Sequence, residues 1–368
     1  MKVLYLTNIP SPYRVDYFNE LGKYCELTVA FERLGSSERD KSWENFHNNN
    51  FNVVFLGGKK IGVDSSISPK VWSCISKDYD RIFVTNFSDF TGMLALTKLK
   101  VQKIPYYLES DGGFAGSGKG IKEHIKHHLI SGAQKYFSTG KMHDQYYIKY
   151  GAKKSQIVRY PFSSVHEKDI ININDINFEW KYKKKFFLGI KEKKIILMVG
   201  QFIYRKGVDI LLKAAESVSK DIGIYIIGGT PTDEYLHVVS EKKLTNVHFI
   251  EFMNKENLGN YYDAADLFVF PTREDIWGLV VNEALAHGLP VITTDRCLAG
   301  TELITHGKNG YIIPTNDANS LSKYINKFFS GDTDYLEFMR NSVKCAKQYT
   351  IEKMVEKHLE YFHDGVDV

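Results

Sequence analysis

Short apolar, β-rich runs alternate along the whole chain with longer stretches whose apolar positions return every three or four residues. The runs have the length and composition of strands buried on both faces, and the longer stretches have the period of helices packed on them by one side. In the first half the strands fall near Val3–Thr7, Leu27–Phe31, Val53–Leu56, Arg81–Val84, Tyr106–Leu108, Tyr136–Ser138 and Ile157–Tyr160. Helices lie between them, among them Tyr13–Leu21, Lys119–Ser131 and Lys141–Tyr150. From Glu167 to Glu179 the chain turns polar and rich in Asn and Ile, and a basic run, Lys181 to Lys185, follows; this stretch reads as an interdomain linker. A second series starts afresh at Ile195–Val199 and continues through Ile224–Ile227, Val247–Ile250, Leu267–Phe270 and Val291–Thr293. The pattern predicts an α/β protein of two doubly wound Rossmann-like domains, about 1–166 and 186–349, with ligands at the strand C-termini facing a central cleft.

Composition narrows the setting. A chain of 368 residues suggests about two domains, and 43% hydrophobic content supplies ordinary cores. The net charge of +4 is too small to argue for nucleic acid, so no such partner is expected. Cys25, Cys74, Cys297 and Cys345 are scattered without metal spacing, as in a reduced cytosolic protein. The apolar start, Met1 to Leu6, is too short for a signal peptide, and no later stretch has the length needed to span a bilayer. A cytoplasmic protein is expected, free or on the inner face of a membrane.

The segment Phe270–Pro314 carries the most chemistry. The strand Asp266–Phe270 ends at Pro271, polar residues follow, and Gly278 opens a helix from Leu279 to His287 that Gly288 and Pro290 close. Unpaired amides at such a helix start, here those of Leu279 and Val280, favour anions where no side chain blocks the approach. Asp275 lies in the preceding loop and Glu283, eight residues on, lies just over a turn into the helix beside its apolar face. A carboxylate there needs a partner such as a ribose hydroxyl pair or a cation. Upstream, Gly200-Gln201 and then Arg205-Lys206-Gly207 lead from a strand into another helix, so that two cations stand at a second helix start.

These residues resemble the nucleotide-sugar site of retaining GT-B glycosyltransferases, glycosyltransferase family 4 in particular. The family's Glu-x7-Glu signature is matched by Asp275-x7-Glu283, with Asp in the first place, and the likeness extends through Ala299–Glu302, His306–Gly310 and Val199–Gly207. It covers most of residues 194–315 closely and the N-terminal half in outline. The resemblance implies a hexosyl transfer with retention from a nucleotide diphosphate donor, UDP by default and GDP as the alternative, to a surface-glycan or glycolipid acceptor. Lys206 matches the diphosphate-binding lysine; the family's usual arginine is replaced by Gln201, and Arg205 is the neighbouring cation. Base contacts are expected at Phe252 and Met253. The resemblance also implies that the last helix, within about 350–368, returns to the first domain. Neither a metal nor a cofactor is implied: the Asp-x-Asp spellings at Asp78–Asp80 and Asp332–Asp334 fall away from the expected cleft.

In the N-terminal half, Glu109-Ser-Asp111-Gly-Gly follows a strand where family members carry a histidine, and Glu109 or Asp111 is left for sugar or acceptor hydroxyls. Asn8–Arg14 takes the place of the family's glycine-rich acceptor loop, with Ser11, Tyr13 and Arg14 as acceptor contacts and Arg14 suited to an anion. A rival spelling, Gly113 to Gly120, nearly makes a nucleoside-triphosphate loop but lacks the final hydroxyl. A GT-B-shaped nucleotide-sugar epimerase is the nearer alternative. The helix from Gly120 to Ile130 places Ile121, Ile125 and Leu129 on one stripe among lysines and histidines. That stripe suits a core contact or a rest on anionic lipid, and both readings stay open.

Overall fold

A computed structural model of the chain describes every residue except 36–40, 45, 62–64, 117, 119, 176–177, 332–333 and 363–368. It divides into two compact units, Met1–Ser164 with Thr350–Val368, and Val165–Tyr349. Ser117 and Lys119 of the rival phosphate-loop spelling, Asp332 of the second Asp-x-Asp spelling and the tail from 363 lie outside the described residues.

The first unit begins with β1 (Lys2–Thr7), α1 (Pro12–Leu21), β2 (Glu26–Phe31) and β3 (Asn52–Phe55). A short antiparallel hairpin, β4 (Lys59–Ile61) and β5 (Ser65–Ile67), leads to α2 (Val71–Cys74), β6 (Arg81–Val84) and α3 (Phe90–Val101). Then come β7 (Tyr107–Glu109), α4 (Ile121–Ile130), β8 (Lys135–Ser138), α5 (Lys141–Lys149) and β9 (Ile157–Arg159). Seven strands pair in the order β3-β2-β1-β6-β7-β8-β9, and the pairs in that sheet are parallel. Being covered on both faces, the strands read as continuous apolar runs. Tyr5 of β1 stacks on Phe83 of β6 with ring centroids 4.5 Å apart.

The second unit carries α6 (Phe178–Phe187), β10 (Lys194–Val199), α7 (Val208–Ala215), β11 (Ile222–Ile227), α8 (Asp233–Glu241), β12 (Val247–Ile250), α9 (Lys255–Ala264) and β13 (Leu267–Phe270). α10 (Leu279–Ala286), β14 (Val291–Thr294), α11 (Leu298–Leu303), β15 (Gly310–Ile313), α12 (Ala318–Phe329) and α13 (Tyr335–Ala346) complete it. Its parallel sheet runs β12-β11-β10-β13-β14-β15. Ile196, Ile224, Ile226, Leu267, Val269 and Ile292 are fully buried at its centre, each such side chain contributing about 1.5–3 kcal/mol of transfer free energy. The chain closes with α14 (Ile351–Phe362), which packs on α1 in the first unit.

Three elements depart from the pattern reading. The hairpin β4–β5 is built mainly from lysines and serines, with β4 exposed and β5 partly buried, and has no apolar signature. β15 offers only Tyr311-Ile-Ile as a run, yet Gly310 lets it approach β14, since a Cβ there would stand 1.9 Å from the Val291 carbonyl oxygen. The expected linker is part of the second unit instead. Ile171 N–H bonds the Ala286 carbonyl at 3.0 Å, and the basic run forms α6, packed on α9.

Candidate functional site

In the second unit the strand order reverses between β10 and β13, which start the two outward series of the sheet. Crevices at such a switch point are where open α/β sheets hold ligands. The two loops that leave these strands, 200–207 and 271–278, are fastened together. Gly207 adopts φ +72°, and a Cβ there would lie 2.1 Å from the Pro271 carbonyl oxygen, so only glycine permits the approach. Thr272 Oγ1 and the Arg273 N–H both donate to the Arg205 carbonyl, at 2.9 and 2.8 Å. The Arg273 guanidinium lies 3.7 Å from the Tyr204 ring centroid and grips Asp209 through bonds of 2.8 and 2.6 Å.

This fastening aims the charged side chains. Lys206 Nζ stands 2.5 Å from Asp275 Oδ2 and 5.1 Å from the centroid of the Phe270 ring. Arg205 Nη1 lies 3.7 Å from the same carboxylate oxygen and donates to the Glu274 carbonyl at 2.9 Å. Asp275 is fixed from the far side by its N–H to the Arg296 carbonyl (2.9 Å) and by the Leu298 N–H on its own carbonyl (3.2 Å). Gly278 starts α10 at φ +102°; the position of a Cβ on it is 2.9 Å from Cys297 Sγ and 3.9 Å from the Asp275 carboxyl carbon. The first amides of α10, on Leu279 and Val280, therefore open beside the Asp275–Lys206 pair, with no acceptor inside the helix. Gly200 underlies the lysine stem, whose carbons pass 3.7 Å from its Cβ position. Gln201 is exposed, as is Phe252 after β12, and Met253 is half-buried. Two cations and a helix start thus meet in one corner, an arrangement suited to anions. In the free protein Asp275 is the counter-ion of Lys206.

Glu283 sits at the second turn of α10, half-buried. Its Oε2 accepts the Tyr262 hydroxyl at 2.9 Å. Tyr262 is buried, and burial followed by the nearby Glu283 charge raises its pKa well above the ordinary value, so it stays a donor. Its ring stacks on His287 at 5.2 Å and 16°, while His287 Nδ1 pairs with Asp263 at 2.6 Å and Asp263 pairs with Lys184 at 2.9 Å. Tyr262, Glu283 and His287 line a recess with Leu258 and Gly259. Neither Tyr262 nor Arg273 carried a sequence signal: each matters through a partner far along the chain.

The first unit gathers its expected residues around a buried charge. Glu109, at the end of β7, is fully buried; one oxygen meets Arg14 Nη1, the other meets the Tyr5 hydroxyl at 3.2 Å and His358 Nε2 at 3.0 Å. Burial alone would push the Glu109 carboxyl up, but Arg14 and then His358 outweigh it and hold the pKa down at about 2. Arg14 is itself buried, its Nη2 bonded to Asp111 Oδ1 at 2.5 Å. These two placements correct the expectation of acceptor contacts: Glu109 presents no surface for a sugar hydroxyl, and both terminal nitrogens of Arg14 face carboxylates within the unit. Ser11 is buried too. Asp111, whose side chain is 29% exposed and accepts the Tyr13 hydroxyl, is the member of the group that reaches the surface, with Tyr13 half-buried beside it. His143 lies one layer deeper. Thr139 N–H donates to its Nδ1 at 3.2 Å, so Nε2 carries the proton toward Ser110 Oγ, 3.0 Å away. Burial, opposed by Glu109, lowers its pKa to about 3.

The second unit is a doubly wound α/β sheet with cations and a helix start at its switch point, and known proteins resemble it in sequence and fold. Residues 181–348 match the family Glycosyl transferases group 1. An uncharacterized glycosyltransferase of Haemophilus influenzae is 28% identical over 170 residues, 45% of this chain and 48% of that protein. The O-antigen chain mannosyltransferase C of Escherichia coli is 28% identical over 171 residues, 45% of each chain. The alignments span about half the length of these curated relatives. Among solved structures, Anabaena HepE in complex with UDP has 16% identity and a TM-score of 0.78, covering 98% of this chain and 99% of that one. That likeness over the whole chain establishes the GT-B fold, two parallel Rossmann-like sheets.

Proposed function

We propose that the protein is a retaining glycosyltransferase that moves a hexosyl group from a nucleotide diphosphate sugar, UDP-linked by preference, to a surface-glycan or glycolipid acceptor in the cytoplasm. The observation that carries this reading is the Lys206–Asp275 pair beside the start of α10, with Glu283 just over a turn along the same helix. The diphosphate leaves with growing negative charge, and a fixed cation with oriented amides lowers that barrier because they bind the transition state more strongly than the ground state. Lys206 and the α10 amides hold the diphosphate, Arg205 flanks it, and Glu283 takes the ribose hydroxyls. Gly200 leaves room for the phosphates, and Phe252 and Met253 stand where the base would lie. Asp111 and Tyr13 are the groups left on the first unit for an acceptor. In retaining transfer the acceptor proton passes to the leaving phosphate, so no protein base is required. The names of the relatives support the substrate class: the Escherichia coli protein acts on O-antigen chains, and the Anabaena structure holds UDP.

A peripheral membrane contact through α4 fits a lipid-borne acceptor. Of its apolar stripe Leu129 is buried, whereas Ile121 and Ile125 are 80% and 49% exposed. No helix among the described residues is long and apolar enough to cross a membrane. The test is a thermal-shift panel of nucleoside diphosphates followed by a release assay with UDP-sugars and a glycolipid extract. Stabilisation by UDP and release of UDP only when acceptor is present are expected; release without acceptor refutes transfer.

A further inference from the structure

The buried charge cluster of the first unit ends at a residue that the proposed reaction does not use. His358, on α14, is fully buried. Its Nδ1 lies 2.7 Å from the Met354 carbonyl oxygen and its Nε2 lies 3.0 Å from Glu109 Oε2. A carbonyl oxygen can only accept, so Nδ1 carries a proton. Burial opposes ionisation of Glu109, but Arg14 and then His358 hold its pKa at about 2, so this carboxylate accepts as well and Nε2 also donates. The ring is therefore an imidazolium. Phe137 stacks on it at 4.5 Å and 12°, and an aromatic face offsets part of the cost of burying a cation.

From that ring a line of bonds reaches the surface. Glu109 Oε1 accepts from Arg14 Nη1, Arg14 Nη2 donates to Asp111 Oδ1 at 2.5 Å, and Asp111 Oδ2 accepts from the Tyr13 hydroxyl. Tyr5, Tyr17 and Tyr160 adjoin the same charges and stay neutral, since burial and then the Glu109 charge raise each pKa well above its ordinary value. Two cations thus balance two carboxylates. Were His358 neutral, Glu109 would compete with Asp111 for the Arg14 guanidinium, because a buried carboxylate left uncompensated is costly. With the imidazolium in place Arg14 divides between them, and Asp111 is fixed with 29% of its side chain exposed.

We propose that His358 is a positioning residue for the acceptor: acting through Glu109 and Arg14, its charge aims the Asp111 carboxylate at an acceptor hydroxyl. The proposal rests on the reading of Asp111 as an acceptor group. Because both cations are buried and the exposed member is a carboxylate, the group received is a hydrogen-bond donor, a neutral sugar hydroxyl rather than an anion.

The test is a double-mutant cycle on the full chain, with His358→Gln, Asp111→Asn and both together, read as the KM for the glycolipid extract of the release assay, varied by dilution. His358→Gln keeps an amide to donate to Glu109 but brings no charge, and is expected to raise that KM about tenfold, the scale for one charge-assisted bond, with UDP affinity unchanged. Asp111→Asn is expected to raise it as much or more. Adding His358→Gln to Asp111→Asn should change nothing further, because the relay then has no carboxylate to aim. Effects that multiply in the double variant, or an equal fall in UDP affinity, would make His358 a structural residue and overturn the proposal. An unchanged KM in Asp111→Asn, or no turnover of the extract by the wild type, sinks the acceptor reading and the positioning role with it. Nitrogen NMR of the histidine-labelled wild type needs no variant to fold. His358, recognised by the ring current of Phe137, is expected to show both ring nitrogens protonated at neutral pH, and a singly protonated ring overturns the proposal even where the acceptor reading survives.

Discussion

Tyr262→Phe removes a single oxygen and leaves the ring in place. The lost hydroxyl is the donor 2.9 Å from Glu283 Oε2, on a side chain that is 2% exposed. A hydrogen bond to a charged acceptor contributes about 1.5–3 kcal/mol. Because the ring keeps its stack on His287 at 5.2 Å, no cavity larger than an oxygen is left. The loss divides between two readouts. Part appears as stability, where a domain of this size loses about 2–4 °C of melting midpoint per kcal/mol. The rest appears as affinity, since a Glu283 no longer held in one rotamer must be ordered by the ligand, and each 1.4 kcal/mol is about a factor of ten. Calorimetric titration with UDP and with 2′,3′-dideoxy-UDP separates this from a general loosening. UDP is expected to bind about tenfold more weakly to the variant, in line with that range, and the dideoxy analogue is expected to bind both proteins alike. An unchanged UDP affinity in a folded variant refutes the view that Tyr262 aims Glu283 at the ribose; equal losses for both nucleotides would make Tyr262 a purely structural residue.

Three further outcomes follow from the geometry. Lys206→Ala is expected to lower turnover by about a hundredfold or more, the scale for one preorganised group at a developing anion; a rise in KM with kcat constant would assign the lysine to uniform binding instead. Gly207→Ala combines φ +72° with a Cβ 2.1 Å from the Pro271 carbonyl oxygen, and is expected to cost about 1–3 kcal/mol from backbone strain, read as a lower melting midpoint and weaker UDP binding. His143 has its pKa lowered by burial from the ordinary 6.5 to about 3, so between those values the unfolded chain binds the extra proton and stability declines as pH falls, by at most about 1.4 kcal/mol per pH unit. A melting curve measured against pH should therefore flatten in that window for His143→Asn, and an identical slope in wild type and variant would show that His143 does not carry it.

The alternation of apolar runs with helical periods was enough to find twelve strands close to their observed places, because parallel strands buried on both faces are continuous in sequence. What the pattern could not show was exposed or borrowed structure. The β4–β5 hairpin buries little, and β15 depends on Gly310 fitting against Val291. The basic run at Lys181–Lys185 read as part of a linker because the acids that bind it, Asp263 and Asp266, lie about eighty residues on. In the candidate site the juxtaposition of Lys206, Arg205, Asp275 and the start of α10 was legible from glycine, cation and helix-start grammar compressed into local motifs. Arg14 and Glu109 misled for the opposite reason. Each residue type suits a ligand, but α1, β7 and α14 bring them against each other and against His358, and the charges cancel inside the unit.

On the proposed reading, the Lys206–Asp275 contact makes diphosphate entry an exchange of partners. A diphosphate that takes the lysine must release an aspartate already 2.5 Å away, so the number of close ion pairs at that ammonium need not change. Binding driven by a naked cation weakens steeply as salt rises, whereas an exchange of one counter-ion for another is nearly indifferent to it. On that reading the corner would filter ligands by charge. A ligand with a single weakly held negative group gains too little to displace the carboxylate, while one that reaches the lysine and the α10 amides together offsets the lost pair and leaves Asp275 free to turn toward Arg205.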